Sequence, residues 1–268
     1  MLLCVSSTDA KTGDRVVEGT HMVYQEHKDF EKPEKEDIKI WRYIDFTKFV
    51  SLLEKRALYF VRADRLPDPF EGSYSKANVK LRPITYKRMP EELQKQIPIF
   101  TKELRRYVTV NAWHMNEVES AAMWKLYPKS DEGVAIQSTF GRLKASFDVY
   151  VEDTVYIGKV KYIDFEKDWL PEGNILYPFM HKRKSFEHER ELRAIIVRLA
   201  TKDGQLDLTT NVFDEGIYVN VNLDTLIERL HVSPTAPIWF SDLVRSVARK
   251  YDLKKETAQS SLADGPVY

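Results

Sequence analysis

The chain has 268 residues, 43% hydrophobic and 31% charged, a composition that fits a soluble globular protein and excludes a disordered one. Lysine plus arginine equal aspartate plus glutamate at 41 each, so no global basic field marks the chain for nucleic acid, although a local basic patch runs from His181 to Lys184. The single cysteine, Cys4, excludes an intramolecular disulfide and a cysteine-rich zinc site.

No apolar run reaches the length of a membrane span, and the opening MLLCVSSTDAKTGDRVVEG is too short in apolar residues for a secretion signal. The expectation is a cytoplasmic protein with no membrane partner. Residues 1–37 are polar, end in EKPEKED and read as a mobile or loosely docked arm. From Ile40 a short strand leads into a helix with Phe46, Phe49, Leu52 and Leu53 on one side, started near Asp45 and Thr47. A strand at Ala57 to Val61 follows, and then a turn with two prolines that carries Asp68 and Glu71.

Residues 79–107 read as helical cover, punctuated by Pro83 and Pro90. Val108, Val110 and Ala112 alternate as in a strand, Glu117 to Leu126 reads as a helix, and Val134 to Gln137 reads as a strand. Trp113, His114 and Asn116 fall at a strand–helix junction, where polar side chains are often presented to ligands, although core packing of the tryptophans and a satisfied histidine is the simpler account. Val149 to Val160 and Lys161 to Phe165 read as further strands. The C-terminal part alternates strand, helical turn, strand and helix, with Pro234 and Pro237 before the last helix and one small strand before a tail at 262–268. The βα units lack the spacing of a doubly wound sheet. The reading is one α+β domain over 38–261, with a mixed, largely antiparallel sheet and covering helices.

The stretch His181 to Val197, HKRKSFEHERELRAIIV, holds the densest functional signal. A strand from Glu189 would put Glu189, Glu191, Arg193, Ile195 and Val197 on one face. Carboxylates two apart on such a face lie roughly 6 to 7 Å from each other and need an intervening cation, for which Arg193 and the basic cluster are candidates. Read as a helix, the same residues give only a Glu189–Arg193 pair on a solvated face. Phosphate-loop, dinucleotide-fingerprint, serine-hydrolase, zinc-protease and kinase motifs are all absent.

WRYIDF, LEKRALYFVRADRLPDPFE, VNAWHMNEVESAAMWKLYPKSDEGVAI and KSFEHERELR together resemble a bacterial family known as domain of unknown function twenty-nine seventy-one, whose members often lie near phage-defence genes. The likeness runs from about residue 38 to residue 261, and its most specific elements are D-P-F-E at Asp68 to Glu71 and F-x-x-E-x-E-x-R at Phe186 to Arg193. A second, fainter likeness is to ADP-ribosyltransferases, whose three-part site combines an early-strand basic or aromatic residue, a polar residue on a middle strand and a late E-x-E. It implies an ADP-ribosyltransferase-like fold and NAD as substrate. Arg42 or Tyr43 would hold the nicotinamide side, Trp113 and His114 would line the pocket with Arg193 in support, Glu191 would stabilise the oxocarbenium ion, and Glu189 would face the acceptor. The middle position departs from the usual serine or threonine. The acceptor implied is a protein or nucleic acid, and a defence toxin implies an immunity or regulatory protein. No metal is needed. Two alternatives stand beside it: a magnesium nuclease using Asp68, Glu71, Glu189 and Glu191 with Lys184 on phosphate, and a non-catalytic binding module.

Overall fold

The structure is a computed structural model that describes residues 23–267. The chain opens with β1 (Tyr24–Gln25), β2 (Lys39–Asp45), α1 (Phe46–Lys55) and β3 (Ala57–Arg62). Phe49, Leu52 and Leu53 bury the inner face of α1, and Arg56 in left-handed conformation (φ 48°) turns the chain back into β3. Asp45 stands at the cap position, but its carboxylate accepts from the N–H of Lys129 at 2.6 Å. Next come α2 (Lys76–Thr85), capped by Ser75, and α3 (Glu91–Leu104). Their boundary falls at Pro90, whereas Pro83 lies inside α2 instead of ending it.

β4 (Val108–Met115) leads to α4 (Ala121–Leu126), β5 (Gly133–Thr139), α5 (Phe140–Ala145) and β6 (Val155–Lys159). α4 is shorter than its sequence pattern because the Ser120 hydroxyl caps it, leaving Glu117 to Glu119 in a loop. Residues 150–154 likewise lie outside β6. β7 (Lys161–Ile163) pairs with β8 (His181–Arg183), followed by β9 (Glu191–Val197) and a hairpin of β10 (Ala200–Lys202) and β11 (Gln205–Asp207). The last elements are β12 (Gly216–Asn220), α6 (Leu223–Leu226), β13 (Arg229–Val232), α7 (Ile238–Lys250) and β14 (Thr257–Gln259).

Among the described residues ten strands form one mixed sheet in the order β1-β6-β9-β4-β2-β5-β13-β14, with β3 also on β4 and β12 on β3. Its parallel pairs are the two edges, β1 on β6 and β13 on β14; the other pairs are antiparallel. The fold is thus a mixed α and β structure with a largely antiparallel sheet. Residues 23–37 are part of it: Val23 and Phe30 are buried and β1 joins the ladder, so of the two expectations for the arm these residues follow the docked one. Residues 1–22 lie outside the described residues.

β4 is the pivot. On one side β9 pairs with it from Val108 to His114. On the other, β3 pairs at Thr109 and Val110 and β2 at His114 and Met115, so Asn111, Ala112 and Trp113 face a gap where neither strand reaches. β2 and β3 run the same way, both antiparallel to β4, with α1 as their connection. Side chains close part of the gap: Asn111 Nδ2 donates to the Tyr59 carbonyl at 2.9 Å, and Trp113 Nε1 donates to Asn111 Oδ1 at 2.8 Å.

Alternation sorts the two faces. Ile40, Ile44, Leu192, Ala194, Ile196 and Val134 belong to the large core under α1, α5 and α7. The opposite face carries two smaller clusters, Val108, Val110 and Ile195 with Phe179 and Met180, and Trp41 and Tyr43 with Met123 and Trp124. His114, Glu191 and Arg193 lie on this second face, between the two.

Candidate functional site

Glu191 and Arg193 share a face of β9, as period-two reading expects, and both are buried. Glu189 does not join them on the strand. It ends a 3₁₀ turn, Lys184–Glu189, and Arg190 in left-handed conformation (φ 42°) separates it from β9. The expectation of one continuous face through Glu189 is corrected by that turn. Glu189 nevertheless returns to the cluster through Lys182, whose Nζ donates to its Oε2 at 2.5 Å.

The cation between the carboxylates is double. Arg193 Nε and Nη2 donate to the two oxygens of Glu191 at 2.7 and 3.0 Å, while Nη1 and Nη2 donate to Glu71 at 2.7 and 2.8 Å. Nη1 also donates to the Phe179 carbonyl at 2.6 Å, which uses all five guanidinium hydrogens. Lys182 Nζ lies 3.4 Å from Glu191 and 3.5 Å from Glu71. Three carboxylates (Glu71, Glu189, Glu191) against two cations (Lys182, Arg193) leave the cluster with a net charge of −1. Burial opposes ionisation of Glu191, but Arg193 and Lys182 outweigh it and hold its carboxyl below the usual range; the same carboxylates lift Lys182 against its own burial.

The two most distinctive sequence elements meet here. Asp68 accepts from Arg183 Nη2 at 2.9 Å, and Arg183 packs against the rings of Phe70 and Phe186. Glu71 then turns inward to Arg193. Gly72 permits that turn, with φ at 70° and with a Cβ there falling 2.4 Å from the Phe179 ring. Asp68 and Glu71 are therefore support for the cluster, one from its flank and one from within. Lys184 is separate, 4.0 Å from Asp168 and largely exposed.

A cleft of about 550 Å³ opens beside the cluster, along the gap in the sheet. Arg42, Tyr43, Trp113, His114, Glu189 and Glu191 all line it. Of the site residues expected from the sequence, Arg193, Asp68, Glu71 and Lys184 are not in its lining. Arg42 projects into the gap, donates to the exposed-edge carbonyl of Ala112 at 2.7 Å, and sits 5.9 Å from the Trp113 ring. No carboxylate lies within 4 Å of its guanidinium among the described residues, and burial pushes its pKa down to about 10. His114 Nδ1 donates to the Glu189 carbonyl at 2.6 Å, and its Nε2 is buried without a partner. Burial lowers the pKa of His114, which favours the neutral ring.

Sequence reasoning missed four tyrosines around the carboxylates and the mouth, Tyr59, Tyr127, Tyr162 and Tyr218. Tyr162 accepts from the Glu191 N–H at 2.8 Å, and Tyr127 lines the cleft, its pKa raised by burial and then by Glu189 and Glu191. Tyr59 lies in the LEKRALYFV stretch but reads there only as one residue of a strand. Lys182 was legible only as part of a basic cluster.

The carboxylates of the nuclease alternative are each engaged by a basic side chain: Asp68 by Arg183, Glu71 and Glu191 by Arg193, Glu189 by Lys182. Among the described residues no group of three acidic, histidine or cysteine side chains is placed to share a metal ion. Nor, among them, is any helix long and apolar enough to cross a membrane. No family model, curated protein or solved structure matches the chain.

Proposed function

We propose that the chain is an NAD-using enzyme of the ADP-ribosyltransferase type, with an ADP-ribosyltransferase-like fold, serving as a toxin or effector in bacterial defence. The observation that carries this reading is the convergence of an unpaired cation, aromatic rings and carboxylates on one cleft: Arg42 and Tyr43 from β2, Trp113 from β4 and Glu189 from the turn before β9 come from three separate parts of the chain. An anionic dinucleotide with a cationic pyridinium end has that same order of charge. Arg42 would meet phosphate and the net-negative cluster would face the ribose, while Trp113 and Tyr43, almost wholly buried and packed into opposite faces of the sheet, would form apolar wall of the cleft.

In the reaction the bond between ribose C1′ and the pyridinium nitrogen breaks, and its electron pair leaves with neutral nicotinamide. The positive charge left on the ribose is stabilised by a fixed carboxylate in a water-poor site. An acceptor oxygen or nitrogen then attacks C1′ and loses its proton. No oxidant or reductant enters. Both oxygens of Glu191 are already held by Arg193, with Lys182 close to one of them, so it serves here as the charged footing of the site. Glu189, held by Lys182 and lining the cleft, is the carboxylate available to the substrate.

Nicotinamide release from NAD by the purified chain tests this. Release by the wild type and a drop of roughly 10² to 10³ in Glu189→Gln, with the fold retained, is expected for loss of one preorganised electrostatic group. No release with protein, nucleic acid or water as acceptor would sink it.

A further inference from the structure

Two tyrosines at the mouth of the cleft play no part in the chemistry above, yet both are left open to solvent: Tyr59 is 38% exposed and Tyr218 48%. They stand directly opposite each other in the β3–β12 ladder, their ring centroids 5.1 Å apart at an interplanar angle of 58°. A cross-strand aromatic pair stabilises a sheet, which accounts for the pairing. It does not account for two open ring faces bordering a cleft, nor for how firmly they are placed. Tyr218 Oη is 3.2 Å from Ser51 Oγ on α1. The Tyr59 ring lies over Gly216, where any Cβ would fall 2.7 Å from its Cζ. The rings are thus set in position before a ligand arrives, which reduces the ordering cost of binding.

Charge around the pair is uneven. Lys55 Nζ lies 5.9 Å from the Tyr218 ring, and Lys48 and Arg42 line the same cleft. On the far side stand Glu152, Asp214 and Glu215 with Arg198, itself paired with Asp153, a net-negative set that borders Tyr59 and Tyr218 from outside the cleft. A polynucleotide continuing past the rings would carry its phosphates into those carboxylates. A single nucleotide unit, base on the rings and phosphate turned inward to Arg42, stops short of them.

We infer that Tyr59 and Tyr218 form a stacking subsite for the base of a nucleotide whose phosphate points into the cleft towards Arg42. That the base is the adenine of NAD rests on the proposed function; the stacking subsite itself does not. Base stacking on aromatic side chains depends on the ring and not on the hydroxyl, which gives the test its form.

Titrating the full chain with AMP by calorimetry decides it. Wild type and Tyr59→Phe/Tyr218→Phe should bind with similar affinity, and Tyr59→Leu/Tyr218→Leu about 10-fold or more weakly. Should the double leucine variant fail to fold, Tyr218→Leu alone, at the more exposed position, should show the same direction. A wild type that does not bind AMP, a folded leucine variant that binds as the wild type does, or a phenylalanine variant as weak as the leucine one would each overturn the inference. AMP binding without nicotinamide release from NAD would instead remove the proposed function and leave this subsite standing. Nicotinamide release that AMP does not inhibit and the leucine variants do not slow would do the opposite.

Discussion

Arg193 grips Glu71 across 122 residues of chain through two parallel hydrogen bonds of 2.7 and 2.8 Å. The pair ties the Pro-rich turn after β3 to the centre of the sheet, and both side chains are almost wholly buried. A buried pair of this kind is a modest net stabiliser, because desolvation offsets most of the attraction, but removal of Glu71 would leave two buried guanidinium hydrogens of Arg193 without a partner, Glu191 and the Phe179 carbonyl holding the other three. Glu71→Ala should therefore cost about 2 to 4 kcal/mol, read as a lower denaturant midpoint at unchanged slope. A loss under about 1 kcal/mol would mean that water or a neighbour satisfies Arg193 as well as Glu71 does.

Acid should open the molecule through its engaged carboxylates. Burial works against ionisation of Glu119, yet the neighbouring His231, Ser260 and Trp124 bring its pKa down from 4.5 to about 2. A group with a depressed folded-state pKa adds stability above its unfolded value and loses it as pH falls through the folded one. The contribution of Glu119 is thus complete at neutral pH and disappears between about 4.5 and about 2. Glu191, lowered by Arg193 and Lys182 against its burial, changes stability in the same direction. Thermal midpoints should fall over that window, and Glu119→Gln should flatten the fall. Identical acid profiles for the two proteins would show that Glu119 titrates normally.

The part of the site that could be read from sequence is the part set by local geometry. Alternation placed Glu191 and Arg193 on one face because β9 is a regular strand. Glu189 escaped that logic, since a left-handed Arg190 breaks the period between the two glutamates and no glycine or asparagine marks the break. The partnership of Asp68 and Glu71 with Arg183 and Arg193 depends on a fold that brings positions more than a hundred apart together, so the motifs were visible and their contact was not. The cleft is less local still. It exists because β2 and β3 part on the edge of β4, which follows from the register of three strands and from no single stretch.

That parting makes a prediction at Asn111. Its amide donates to the Tyr59 carbonyl and accepts from the Trp113 indole, bridging the stretch where the ladder has no strand. Asn111→Leu would remove both bonds and leave a carbonyl and an N–H without partners in an almost fully buried place. The expected cost is about 2 to 4 kcal/mol, the sum of two lost partners at roughly 1 to 2 kcal/mol each. Hydrogen exchange at β3 and β4 amides should rise along with it. Wild-type stability in this variant would show that the gap is held from elsewhere.

The two glutamates flanking Arg190 should respond differently to the same substitution. Glu191 is 5% exposed and meets Arg193 at both oxygens, with Lys182 3.4 Å from one of them. Glu191→Gln would keep the shape, remove the charge and place an amide N–H₂ against a cation, so unfolding midpoints should drop clearly, by about 2 kcal/mol or more. Glu189 ends a turn beside the open cleft, and Lys182 keeps Glu191 and Glu71 as partners without it, so Glu189→Gln should cost less than Glu191→Gln while removing most NAD turnover. Paired unfolding curves and nicotinamide assays on the two variants separate footing from chemistry. If Glu189→Gln proves the less stable of the two and Glu191→Gln the less active per folded molecule, the roles are reversed: Glu191 then works on the substrate despite its ties to Arg193, and those ties must loosen when the substrate binds.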